Sequence, residues 1–185
     1  IATAVGDVNT FSGTPTATLG NAHTISQLAT INTAISGQLT LNDYTVALSG
    51  SSADVAAALD GTFAAAYTGT ASVNDAHTLD QLKTINNGTT GTITLNDVTV
   101  ALTGSTADVK AALDGTFAAG YTGNVTLNDA NSASVAAADI STIAGDTSGT
   151  VTVSNNINLT GTATAITTAV NDVDSFSGTP NAELG

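Results

Sequence analysis

Four Asn-Asp pairs stand at 42–43, 74–75, 96–97 and 128–129. Carboxylate and carboxamide oxygens presented at a fixed pitch suit Ca2+, which takes six to eight oxygen ligands. Asp43, Asp75, Asp97 and Asp129 are therefore the candidate metal ligands, and calcium is the one candidate cofactor. A metal-free reading competes with this one. Asn and Asp close strands because they tolerate left-handed backbone and bond to turn N–H groups. The chain has neither the glycine-rich nonapeptide of calcium-binding β-rolls nor a D-x-D-x-D-G loop, and that favours turns. His23 and His77 hold equivalent positions, each one residue before a presumed helix cap. Stacked two layers apart they would be separated by roughly 10 Å, at ~4.8 Å per layer, too far to share a zinc ion. The third equivalent position is Asn131, and the two histidines read as polar turn residues.

Other side chains could also do chemistry. Phe63, Tyr67, Phe117 and Tyr121 recur in "GTFAAxYTG", as a sugar-stacking platform or, more simply, as plugs in the wider repeats. Tyr44 becomes Val98 at its mate, so geometry does not demand an aromatic there. Thr18, Thr40, Ser72, Thr94, Thr126 and Thr152 would form an outward hydroxyl row. Such a row raises ice binding, but T-x-T is kept only at 16–18, 92–94 and 150–152, and β propensity on a solvated face explains it as well. There is no nucleophile elbow, phosphate-binding glycine loop or metal-spaced His pair. The fifteen acids follow the repeat pattern, so no catalytic residue is singled out and no enzyme is expected.

The elements that must position these residues follow from repetition. Residues 21–73 and 75–127 align without gaps at an offset of 54, with 34 of 53 positions identical. "IATAVGDVNTFSGTPTATLG" at 1–20 returns as "ITTAVNDVDSFSGTPNAELG" at 166–185, with 14 of 20 identical at an offset of 165. A phrase such as "GTITLND" at 91–97 recurs as "GQLTLND", "GTASVND", "GNVTLND" and "GTVTVSN". Cutting before each phrase places 1–13 at the end of one super-repeat, 14–178 as one full super-repeat and 179–185 at the start of the next. The full super-repeat divides into 14–37, 38–69, 70–91, 92–123, 124–149 and 150–178, units of 22–32 residues. The phrase alternates, with Ala17/Leu19, Leu39/Leu41, Ala71/Val73, Ile93/Leu95, Val125/Leu127 and Val151/Val153 facing inward. "TVAL" at 45–48 and 99–102 reads as an extra strand in the longest units. Thr24-x-x-Gln27 and Thr78-x-x-Gln81 are capping boxes, and Ser51 and Ser105 head similar starts. Apolar residues then recur at helical spacing, as in Ile25, Leu28 and Ile31. Helices of two or three turns do not persist alone, and a repeat that cannot bury its own apolar face must stack on its neighbours. The expected fold is mainly β: one continuous β-solenoid over 1–185 with short helices on one side and about six coils per super-repeat. A string of small β-sandwiches is the alternative, disfavoured by poor cores and missing linkers.

Composition bounds the partners. Fourteen Asp and Glu183 stand against Lys83 and Lys110, with a net charge of −13. Nucleic-acid binding needs Lys and Arg, and anionic membrane surfaces attract basic segments, so neither partner is expected. No hydrophobic run approaches the ~18–20 residues of a membrane span. There is no Cys, and aromatics are 4%, so any core is built from small aliphatics. Residue 1 is Ile and no signal peptide is visible, which reads as an internal piece of something longer or a processed product. Asn87, Asn124 and Asn158 begin N-glycosylation sequons, so glycans are candidate partners.

"SVAAADISTIAGDTSGTVTVS" and "HTLDQLKTINNGTTGTITLND" resemble the tandem repeats of giant cell-surface and extracellular proteins of aquatic bacteria, cyanobacteria among them. The resemblance covers essentially the whole chain and implies an extracellular structural or adhesive role. It carries over no functional residues. The expected function is a structural extracellular filament or cell-surface fibre segment, a scaffold or spacer joined to copies of itself or to its own continuation. The alternatives are a calcium-dependent adhesin repeat and an ice-binding protein.

Overall fold

The structure is a computed structural model that describes residues 1–7 and 11–185. Of the expected 1–13 segment, residues 8–10 lie outside the described residues. Two compact units are present, residues 1–96 with 115–118, and residues 97–114 with 119–185.

The first unit contains α1 (Ala2–Gly6), β1 (Ala17–Thr18), α2 (Ile25–Ala34), β2 (Leu39–Thr40), β3 (Leu48–Gly50), α3 (Ser52–Leu59), β4 (Ala71–Val73), α4 (Leu79–Gly88) and β5 (Ile93–Leu95). Its helices start where the sequence marks them. Thr24 and Thr78 each accept the N–H of the Gln three residues on, and that Gln accepts the Thr N–H in return. Ser51 accepts the N–H of Asp54 to open α3. The helices α2, α3 and α4 bury narrow stripes, Leu28 and Ile31, then Val55, Ala58 and Leu59, then Leu82 and Ile85. Stripes this narrow cannot hold isolated helices, and α1 packs on α2, α2 on α3 and α3 on α4. The strands pair in parallel: β1 with β2, and β4 between β3 and β5, with Leu48, Ala71 and Ile93 in one register row. Gly91 runs so close to the Gly69 carbonyl that a Cβ there would collide with backbone.

The second unit contains β6 (Leu102–Gly104), α5 (Thr106–Leu113), β7 (Val125–Leu127), β8 (Ser134–Ala136), α6 (Ala137–Asp146), β9 (Val151–Val153), β10 (Asn158–Gly161), α7 (Ala163–Asp172), β11 (Ser175–Phe176) and β12 (Asn181–Leu184). Two parallel sheets form, ordered β6-β7-β9-β11 and β8-β10-β12. Leu102, Val125 and Val151 align in register, as do Val135, Leu159 and Ala182. The helices α5, α6 and α7 pack in sequence order and bury Val109, Ala112 and Leu113, then Ile140 and Ile143, then Ile166 and Ala169.

The expected mainly β solenoid is overturned. The fold is α/β: parallel-strand sheets alternate with seven helices among the described residues, of which 34% are helical against 21% in strands. The reason lies in segment length. Each strand phrase gives only two to four residues to a ladder, because its Asn, Asp and Gly are used in turns. Each helix from α2 to α7 keeps eight to ten residues. The repeated strand phrase dominated the pattern, whereas the helices hold more of the chain.

Two local expectations also shift. The extra strands lie at Leu48–Gly50 and Leu102–Gly104 rather than 45–48 and 99–102, because Thr45 and Thr99 are tied into turns by Asp43 and Asp97. Second strands also form in 124–149 and 150–178, as β8 and β10. "SASVAAA" carries helix-favouring alanines, yet Ser134–Ala136 is drawn into parallel pairing with Asn158–Thr160.

Candidate functional site

The four candidate aspartates do not converge. Among the described residues no group of three or more His, Cys, Asp or Glu side chains could hold a metal ion. They fall into two kinds. Asp43 Oδ1 accepts the Thr45 N–H at 2.8 Å and its hydroxyl at 2.7 Å. Asp97 Oδ1 does the same with Thr99, at 2.8 and 2.7 Å. The Thr45 N–H, then its hydroxyl, hold the Asp43 carboxyl below its usual range. Asp75 and Asp129 reach back to the first residue of a helix. Asp75 Oδ1 accepts the Ser52 N–H at 2.6 Å. Asp129 accepts the Thr106 N–H at 3.1 and 3.0 Å on its two oxygens, and the Thr106 hydroxyl at 2.6 Å on Oδ2. A carboxylate at a helix start satisfies an orphan N–H and opposes the positive end of the helix dipole.

The closest approach to a polar constellation is His23, Tyr67 and Asp43 in the first unit. His23 is buried, and its Nε2 lies 3.1 Å from Tyr67 Oη. Tyr67 Oη donates to the Val46 carbonyl at 2.7 Å. A phenol has one proton, so Tyr67 accepts from His23, and this assigns the neutral Nε2–H tautomer. Nδ1 has no hydrogen-bond partner among the described residues. Burial lowers the His23 pKa, and the Asp43 charge offsets this in part. Burial pushes the Tyr67 phenol up to about 12, helped by Asp43. A phenol held this firmly protonated and a histidine held neutral make a hydrogen-bonded strut, with no general base positioned against an open site.

Beside Tyr67 lies a cleft of about 500 Å3, lined in part by Asp60, Phe63, Tyr67, Thr84, Asn87 and Thr90. Tyr67 is only 2% exposed, and half-buried Phe63 packs on it at 5.6 Å. Phe63 and Tyr67 pack on each other and do not stand free as a sugar-stacking platform requires. In the second unit, Tyr121 is likewise buried and donates to the Val100 carbonyl at 2.6 Å. The aromatics act as plugs.

The expected single hydroxyl row is broken into separate runs, one to a sheet. Thr18 pairs with Thr40, and Ser72 lies between Ser49 and Thr94. In the second unit Thr103, Thr126, Thr152 and Ser175 follow one another. Asn181 Nδ2 donates to Asn158 Oδ1 at 3.2 Å, a rung of an Asn ladder between β10 and β12. The sequon residues Asn87 and Asn124 are exposed and Asn158 is half-buried; Asn124 also accepts the Thr150 N–H at 3.0 Å.

Sequence reasoning missed Thr89 and Thr147. Both are buried. Thr89 Oγ1 donates to the Gly69 carbonyl at 2.7 Å and accepts the Gly91 N–H at 3.0 Å. Thr147 repeats this with the Gly123 carbonyl at 2.8 Å and the Gly149 N–H at 3.0 Å. The available signal was T-x-G at the end of a helix. No protein-family model, curated protein or solved structure matches this chain.

Proposed function

We propose that this chain is a structural segment of an extracellular filament or cell-surface fibre, a scaffold or spacer with no catalytic role. It is joined end to end to copies of itself or to the continuation of the same chain. One observation carries the reading: runs of successive repeats pair in parallel register, and side chains of one repeat bond to the repeat before it. Leu102, Val125 and Val151 follow in one parallel register, and Asp129 and Thr147 tie helix starts and loop carbonyls of the preceding repeat. A further repeat at an open strand edge meets the same row of N–H and C=O groups, so extension needs no new kind of contact. The net charge of −13 favours solubility of such a surface. No helix among the described residues is long and apolar enough to cross a membrane. The likeness of the repeats to those of bacterial surface proteins points the same way.

The test is immunogold electron microscopy on intact source cells with an antibody to this chain. The expected result is label outside the cell, along fibres or a surface coat. Label appearing only after permeabilisation would overturn the reading.

A further inference from the structure

Of the three sequons, Asn87-Gly88-Thr89 departs from its repeat mates at a place where the fold makes no demand. The stretch "TINNGTTG" at 84–91 corresponds to "TINTAISG" at 30–37 and "TIAGDTSG" at 142–149. The place of Asn87 is then taken by Thr33 and by Gly145, and all three residues are exposed. A Cβ on Gly145 would meet nothing within 4 Å. Nothing in the packing therefore calls for Asn. The other two sequon residues do have structural reasons. A Cβ on Gly88 would lie 2.5 Å from the Leu59 Cβ, and Thr89 holds the Gly69 carbonyl as Thr147 holds that of Gly123.

The three sequon asparagines also differ in what holds them. Asn158 lies in β10, between β8 and β12. Its Nδ2 donates to the Ser132 carbonyl at 3.3 Å, and its Oδ1 accepts from Asn181 at 3.2 Å. A sugar on that nitrogen would open the ladder. Asn124 leads into β7, and its Oδ1 accepts the Thr150 N–H at 3.0 Å. Asn87 stands in the last turn of α4, and its carboxamide has no hydrogen-bond partner among the described residues.

Asn87 opens onto the cleft of about 500 Å3 in its unit. Asp60, Thr62, Thr84 and Thr90 also line it and supply a carboxylate and three hydroxyls. Pockets of roughly 300–1,000 Å3 hold small ligands, so one or two sugar rings fit beside their own point of attachment. The hydroxyls of a sugar both donate and accept, and Asp60 and the threonines offer partners of each kind.

We propose that Asn87 carries an N-linked glycan whose first sugars lie in this cleft. The modification rests on the extracellular placement in the fibre reading. The donor is a sugar joined through C1 to a lipid-borne pyrophosphate. Asn87 Nδ2 attacks C1, and a C–N bond forms as the C1–O bond to the pyrophosphate breaks. The pyrophosphate leaves with that electron pair, and the amide nitrogen gives one proton to the transferase. A sequon is read through its Thr as well as its Asn. In the folded chain Thr89 is only 6% exposed, and its hydroxyl is spent on Gly69 and Gly91. Transfer therefore precedes folding. The fold then closes over Thr89 and leaves the sugar on the outer side of α4.

Lys83 and Lys110 are the only Lys or Arg residues, so trypsin isolates Asn87 in peptide 84–110, apart from Asn124 and Asn158. Mass spectrometry of the chain purified from its source cells is the test. The expected result is a peptide 84–110 heavier by whole sugar residues. Electron-transfer fragmentation is expected to place them on Asn87 rather than on a Thr, and Asn158 is expected bare. Asn87→Gln made in the same cells should lose the added mass. A bare Asn87, or sugar on Asn158, overturns the proposal. Immunogold labelling decides the fibre reading separately, and a bare Asn87 on a chain found outside the cell leaves that reading standing. Melting tests the seat in the cleft. The wild-type chain from source cells is expected to melt several degrees above Asn87→Gln from the same cells. The two should melt alike when made in a bacterial cytosol that adds no glycan. Equal melting of the two from source cells, with the sugar present on the wild type, overturns the seat.

Discussion

Asp97 and Asp129 follow the same Asn in the same phrase and belong to the same compact unit, yet they serve different partners. Asp97 turns back on its own loop and accepts both Thr99 donors. Asp129 reaches the preceding repeat and holds the start of α5 through Thr106. The first unit repeats the contrast, with Asp43 on Thr45 and Asp75 on Ser52. The residue two positions on decides. D-Y-T at 43–45 and D-V-T at 97–99 supply a hydroxyl beside the backbone N–H, whereas D-A-H at 75–77 and D-A-N at 129–131 supply no hydroxyl. One dipeptide therefore makes both a turn and a tie between repeats, and only the tie holds neighbours together.

If ties between repeats carry the stability, the largest loss should come where two repeats touch backbone to backbone. A Cβ on Gly149 would lie 2.5 Å from the Gly123 carbonyl carbon. Overpacking of this kind costs about 3 kcal/mol. Gly149→Ala is expected to lower the urea midpoint accordingly, whereas Gly145→Ala, where a Cβ meets nothing within 4 Å, should change it little. Equal effects would break the distinction.

Asp129→Ala comes next. It removes charge-assisted bonds to a helix start, worth about 2 kcal/mol. Asp97→Ala loses an exposed turn and should cost about 0.5 kcal/mol. Denaturant titration of the two variants measures the ratio directly. If Asp97→Ala proves the more damaging, the turn carries more than the tie.

Much of this was legible in the sequence. The capping boxes at Thr24 and Thr78 formed as read, and the inward aliphatics of the strand phrases are buried, with Ala17 and Leu95 only partly so. These signals are local: a hydroxyl meets an N–H three residues on, or side chains alternate along a strand. The balance of helix to strand was not legible, because it depends on how few residues of each phrase enter a ladder. The difference between Asp97 and Asp129 lay in the sequence as the presence or absence of Thr two residues on, but its meaning required knowing which helix start lies opposite. Thr89 and Thr147 resembled any other threonine of a Thr-rich chain until their hydroxyls met the carbonyls of Gly69 and Gly123.

A smaller effect sharpens the contrast through pH. His23 bonds to Tyr67, 44 residues away, and burial holds its pKa in the folded chain below the ordinary 6.5. The unfolded chain then binds more protons than the folded one between those two values, so stability rises with pH across that window. The contribution is complete above about 6.5 and is lost as pH falls below it. Asp146 acts with the opposite sign and lower down. Burial, then the Asp114 charge, raises its pKa above the ordinary 3.8, so its protonation favours the fold as pH approaches that range. His23→Asn, the residue found at the equivalent Asn131, should flatten the slope between pH 5 and 7 in thermal melts. An unchanged slope would mean that His23 takes up its proton without leaving Tyr67.

The smallest expected effect is that of calcium, and it tests both kinds of aspartate at once. Asp43 and Asp97 each give one oxygen to two donors of the same Thr, while Asp75 and Asp129 give theirs to helix N–H groups. A carboxylate that turns to a cation abandons those donors, and a buried N–H left without a partner costs about 1–3 kcal/mol. Ca2+ wants six to eight oxygens, and these four carboxylates do not gather at one point. Melting temperatures in 5 mM CaCl2 and in excess chelator should therefore agree to within about 1 °C, as surface charge screening alone would give. A rise of several degrees that Asp129→Ala abolishes and Asp97→Ala leaves intact would show the tie to be a metal ligand, and the turn would then be the structural member of the pair.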